Sequence, residues 1–164
     1  MYDIQTLSII DTFRGNAVTG PLAEIGLKLE QATLITTDWG TWKSSYPQTT
    51  VLAEELALNR DFDLRNTRDA DGPIFPVGDV DPRLPVHEDV VGVITDAGTA
   101  IAFPRVAAFL VLQEGQEVRF NNISLVLDAG GIKAIDERRK NVTSHQAFWF
   151  AWSQFYPQTA LWSE

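Results

Sequence analysis

Apolar positions recur with helical spacing at two places along the chain, and at both they carry the same residues. Trp39, Trp42 and Tyr46 fall at i, i+3 and i+7, which sets them on one face of a short helix. Thr36, Thr37 or Asp38 can cap that helix, and Pro47 ends it by disfavouring helical geometry at Tyr46. Trp149, Trp152 and Tyr156 repeat the spacing, with Thr143 or Ser144 as the cap and Pro157 as the stop. Trp39, Trp42, Tyr46, Pro47, Gln48 and Thr49 recur as Trp149, Trp152, Tyr156, Pro157, Gln158 and Thr159, each displaced by 110 residues. The repeat predicts two related helix–strand units, with strands over residues 49–52 and 160–162. Helical spacing points the four tryptophans inward, so core is the favoured role; the rival is a stacking platform for a sugar or other flat ligand, built from Trp39, Trp42, Trp149 and Trp152.

Between the copies the pattern is that of strands. Residues 90–95 and 99–103 flank Asp96, Ala97 and Gly98, a hairpin with glycine for the positive φ; residues 117–120 and 123–127 flank Asn121 and Asn122. Gly130 and Gly131 then turn the chain into residues 132–135. Residues 106–112 are apolar throughout and fit a buried strand or a helix equally. The expected fold is mainly β with a few short helices, an antiparallel meander or small barrel-like units. It forms one domain over 1–164, with two lobes, 1–60 and 90–164, as the other division. The link between the lobes is a Pro- and Asp-rich strap, 61–89, which carries Pro73, Pro76, Pro82 and Pro85.

Charge narrows the partners. Thirteen Lys and Arg against 22 Asp and Glu leave a net charge of −9, which repels phosphate backbones, so nucleic acid is not an expected partner. No apolar run reaches the ~20 residues that span a bilayer, and the first residues lack the basic start and apolar middle of a signal peptide. Without cysteine the chain has no disulfide, thiolate metal site or cysteine nucleophile.

Several strings resemble a bacterial and archaeal family catalogued as domain of unknown function 3179. They are Gly15, Ala17, Gly20, Pro21 and Leu22; Thr36, Thr37, Trp39, Trp42, Lys43, Pro47 and Thr49; Arg60, Asp61 and Phe62; and Phe75, Pro76 and Val77. Asp81, Arg83, Leu84, Pro85 and Glu88 follow, then Val91, Gly92 and Val93, and Ala100, Ala102, Phe103 and Pro104. The resemblance implies a longer pattern whose upstream, Cys-containing half this chain lacks, and an extracytoplasmic setting. His87 stands where the pattern has Lys. The resemblance implies no reaction.

Candidate chemistry follows from these residues. Arg60 with Asp61, and Asp81 with Arg83 and Glu88, form either an acid/base set beside a cleft or an ion-pair clamp fastening the strap, and the clamp is favoured. Asp69 and Asp71 echo part of a calcium loop, but Thr67 and Gly78 would fall at its first and last ligand positions, so calcium is only a weak expectation and no other cofactor is expected. His87 and His145 lack zinc-helix spacing, and Asn141, Val142 and Thr143 read as part of the second cap. The functional expectation is a non-catalytic module binding a small molecule, glycan or protein. A hydrolase or transferase using the carboxylates and Arg of residues 60–88, and a structural fragment of a longer protein, are the alternatives.

Overall fold

The computed structural model describes residues 1–51, 77–95 and 97–163. The chain divides into two units, Met1–Thr33 and Leu34–Glu164. Met1–Thr33 is built from short turns: three isolated antiparallel bridges, Tyr2 with Ile9, Ile10 with Ala17 and Asn16 with Lys28, and α1 (Pro21–Glu24). The Asp3 carboxylate ties the first turn, accepting from the Thr6 backbone N–H at 2.7 Å and from its hydroxyl at 2.8 Å.

Leu34–Glu164 holds two open sheets. In the first, β1 (Asp89–Ile94) and β2 (Ala100–Pro104) form the expected hairpin with Ile94 opposite Ala100; Asp96 in its turn lies outside the described residues. β7 (Ser144–Phe148) pairs antiparallel with β1, and β8 (Ala160–Leu161) pairs parallel with β2, giving the order β7-β1-β2-β8. The second sheet is the expected antiparallel meander, β3 (Val118–Phe120), β4 (Ile123–Asp128), β5 (Gly131–Asp136) and β6 (Asn141–Val142), in that order. Ala129 and Gly130 link β4 to β5 with φ of 48° and 79°, the positive pair that a tight two-residue turn demands.

Residues 106–112 belong to a helix, α3 (Arg105–Gln113). Only Ala108 and Val111 on it are buried, at i and i+3, while Val106 and Leu110 face outward; a strand would have buried alternate residues. This helix packs on strands of both sheets. Around Ala108 and Val111 gather Val91, Val93, Ile101 and Phe103 from the first sheet and Val118, Ile123, Leu125 and Ile132 from the second, with Trp162 closing the cluster.

The other face of the first sheet is shaped for indole rings. Gly92 and Ala102 are direct partners across β1 and β2. Against them lies α4 (Trp149–Phe155), and a Cβ on Gly92 would overlap the six-membered ring of Trp152. The expected cap of this helix is corrected: Ser144 opens β7, Asn141 and Val142 form β6, and Phe148 is the N-cap without a side-chain bond. Carbonyls of the strap do the capping, Glu88 O accepting from Trp149 N–H at 2.8 Å and Val86 O from Phe150 N–H at 3.1 Å. In the first repeat, α2 (Trp39–Ser45) is capped as expected by Asp38, which accepts from Thr41 N–H at 2.9 Å. Residues 49–51 after it are not a strand, and Leu52 lies outside the described residues. Among the described residues no strand pairs with them, and β-branched residues alone do not hold an extended pairing.

Close packing at Gly92 sets a test of the fold. Gly92→Ala should lower stability by about 1–3 kcal/mol through overpacking, read as a fall in the thermal midpoint. An unchanged midpoint would mean that the Trp152 ring has room to move.

Candidate functional site

The two repeats share one internal geometry. Each helix ends on a tyrosine held out of helical conformation by the following proline, Tyr46 at φ −129°, ψ 71° and Tyr156 at φ −131°, ψ 72°. The turn that follows brings a threonine back: Thr49 N–H donates to Tyr46 O at 3.0 Å and Thr159 N–H to Tyr156 O at 2.9 Å. Its hydroxyl then accepts the indole N–H, Trp42 to Thr49 and Trp152 to Thr159, both at 2.9 Å. In each copy the second Trp ring and the Tyr ring lie 4.6 Å apart at 43°.

Their surroundings differ. Trp149 and Trp152 are 0% exposed, and residues 79–88 run across Trp149 and the helix that carries it. Trp149 Nε1 donates to Asp81 O at 2.9 Å, and Gln154 Nε2 to Asp79 O at 2.6 Å. The Arg83 guanidinium lies 5.1 Å from the Trp149 ring centroid and donates from Nη1 to Thr159 O at 2.8 Å. Its Nε and Nη2 grip the Asp81 carboxylate at 2.7–3.1 Å. Hydrogen bonding from Arg83 holds the Asp81 carboxyl below the usual carboxylate range and raises the already basic guanidinium. Two candidates, Asp81 and Arg83, therefore meet, and they meet each other.

In the first repeat Trp39 is 50% exposed and Tyr46 41% exposed, with Trp42 half-buried. The core role expected of all four tryptophans thus fails for Trp39. Its ring carries Lys43 Nζ at 5.6 Å from the centroid. This copy leans on the β4–β5 turn: Tyr46 OH donates to Asp128 Oδ1 at 2.8 Å, and Thr37 Oγ1 donates to Ala129 O at 2.7 Å. Lys133 Nζ donates to Asp128 Oδ2 at 2.7 Å, and that bond, then the one from Tyr46, lowers the Asp128 carboxyl. The shared bond to Asp128 raises the Tyr46 phenol. Asp128 and Lys133 were not singled out from the sequence; the only trace of their pairing there was the Gly130–Gly131 turn between them.

Glu88 stands apart from the Asp81–Arg83 pair. It is half-buried, and burial first, then the neighbouring Asp89, pushes its carboxyl above the usual range, with Arg105 pulling the other way. Arg105 is bonded to Asp89 at 3.0 Å. Glu88 lines a recess of about 190 Å³ with Pro85, Val86 and His87. His87 packs edge-on to Phe148 and Phe150 at 5.3 and 5.6 Å, and His145 lies 6.4 Å from Trp152. The candidates Arg60, Asp61, Asp69 and Asp71 lie outside the described residues. Among the described residues no group of three or more His, Asp or Glu side chains is placed to hold a metal.

A family model described as "Protein of unknown function (DUF3179)" matches residues 1–141, so the first repeat lies within the match and the second beyond it. No curated protein and no solved structure matches the chain.

The opposite shifts of Asp81 and Glu88 give opposite pH signatures. A depressed folded pKa stabilises above the ordinary carboxylate range and is lost as pH falls through the folded value; a raised one costs stability as pH climbs through that range. Asp81→Asn should therefore lower stability near neutral pH by about 1 kcal/mol, converging with the wild type in acid. Glu88→Gln should raise it near neutral pH and also converge in acid. Denaturant midpoints across pH 3–8 would check both signs.

Proposed function

We propose that this chain, which belongs to the DUF3179 family of proteins of unknown function, is a non-catalytic binding module whose contact face is the aromatic surface of its first repeat, Trp39, Trp42 and Tyr46. The observation that carries this reading is that identical residues in an identical local geometry are sealed in one copy and open in the other, Trp149 at 0% exposure and Trp39 at 50%. Nothing in the repeat itself requires Trp39: the indole–threonine bond and the ring pair belong to Trp42, Tyr46 and Thr49. Flanking positions have adapted to water, since Asp38 and Gly40 stand where the second copy has Phe148 and Phe150. Large aromatic side chains that remain on a water-adapted surface are characteristic of contact sites, where they supply rigid area with a polar tip.

The enzyme alternative draws less support. Asp81 and Arg83 are engaged with each other and with the backbone around Trp149, which favours the clamp. Glu88 has the protonation bias of an acid but is half-buried without the Asp81–Arg83 pair beside its recess.

Paired truncations test the face. Trp149→Ala should cost about 3–5 kcal/mol as a core deletion, whereas Trp39→Ala should stay within about 0.5 kcal/mol of the wild type. Panels of oligosaccharides and peptides titrated into the protein should yield at least one saturable change in tryptophan fluorescence that Trp39→Ala abolishes at an unchanged thermal midpoint. Silence across both panels, or binding indifferent to Trp39, overturns the reading.

A further inference from the structure

The chain contains its own example of what such a face receives. On the second repeat a proline-punctuated run of turns gives a main-chain carbonyl, Asp81 O, to the Trp149 indole N–H, while a cation paired with a carboxylate sits over the ring. On the first repeat the cation is already resident. Lys43 lies over Trp39, whereas the corresponding position of the second copy is Ser153, and there the cation arrives with the strap as Arg83. Neither the Trp39 indole N–H nor the Lys43 ammonium has a hydrogen-bond or salt-bridge partner among the described residues.

We propose that the Trp39 face binds an acidic peptide segment, one backbone carbonyl accepting from Trp39 Nε1 and an Asp or Glu side chain pairing with Lys43. This rests on the reading of that face as a binding surface and names its ligand. A peptide is favoured over a sugar because the contacts that cover Trp149 and its helix are main-chain carbonyls, those of Asp79, Asp81, Val86 and Glu88. Acidity follows from Lys43 alone: on the second copy the cation arrives on the strap already paired with Asp81, whereas on the first it stands on the protein and offers a ligand carboxylate a local attraction that acts against the chain's net charge of −9. Proline directly after the contact residue, as Pro82 follows Asp81, would lower the ordering cost of binding.

The probe is a synthetic peptide of residues 79–86 of this chain with Arg83→Ala, titrated into the full chain and followed by tryptophan fluorescence. A peptide with both aspartates changed to asparagine and a neutral oligosaccharide serve as comparisons. The expected result is saturable binding of the acidic peptide, weakened about tenfold or more by Trp39→Ala and by salt, with Trp39→Phe as a milder second variant. Lys43→Glu should reverse the charge preference, so that a peptide with lysine in place of the aspartates binds better than the acidic one. No response to the acidic peptide, or a response that ignores both Trp39 and Lys43, overturns the proposal. Oligosaccharide binding without peptide binding also overturns it while leaving the aromatic face as a binding surface. Concentration-dependent self-association that Trp39→Ala abolishes would replace the peptide by a second copy of the chain.

Discussion

The ring of Trp152 fills the space where residue 92 would carry a side chain, and much of the Leu34–Glu164 unit is arranged by that contact. A glycine in the middle of β1, paired across the sheet with Ala102, lets a helix approach the sheet at indole distance. Once Trp152 is seated, its N–H fixes the hydroxyl of Thr159, and Thr159 leads directly into β8, which pairs with β2. The carbonyl of Thr159 takes Arg83, Arg83 takes the Asp81 carboxylate, and the Asp81 carbonyl takes the indole N–H of Trp149. The chain of contacts closes on the helix where it began. Losing either buried indole would remove on the order of 3–5 kcal/mol of packing, a large part of the margin that a domain of ordinary size holds.

That closed loop also explains the state of the polar candidates. An arginine with its planar fork filled by one carboxylate and one carbonyl, stacked over an indole, is held in a single orientation. Its carboxylate partner is biased toward the charged form at every pH near neutrality, which suits an ion pair and not a proton shuttle. Glu88, a few residues on, has the opposite bias because its shift comes from burial. The neighbouring environments push two carboxylates apart, yet only the pair with Arg83 is tied into the sheet.

What the sequence disclosed was what periodicity and turn chemistry encode locally. The Trp-x-x-Trp helices, the hairpin around Gly98, the asparagine turn at 121–122 and the meander after it all rest on residues a few positions apart. Residues 106–112 were undecidable because an apolar run has no period of its own; the deciding factor was a helix lodged against both sheets, a tertiary fact. The cap of α4 was misplaced for a related reason. Its first N–H groups are met by carbonyls more than 60 residues away, and a side-chain cap in sequence was never needed. The family resemblance marks Gly92, Asp81 and Arg83, and the physical reason for each lies in tertiary contacts, the Trp152 ring on Gly92 and the Trp149 indole on the Asp81–Arg83 pair.

The hardest thing to read from sequence was the difference between the copies, although part of it was written there. Helical spacing states which side chains share a face, not what the face meets. The discriminating residues are the ones the repeat does not share: aspartate and glycine at 38 and 40 belong beside water, phenylalanine at 148 and 150 beside other rings. The same motif thus serves once as a plug and once as a surface, and the shared residues divide accordingly. Trp42, Tyr46 and Thr49 maintain the internal bond and ring pair, as Trp152, Tyr156 and Thr159 do in the core. Trp39 takes no part in that internal geometry, and its buried counterpart Trp149 is held by the strap, through Asp81 O and Arg83. An indole whose role in one copy is to be covered, and which half faces solvent in the other, is explained by local folding in neither place; its presence at position 39 is a property of the surface.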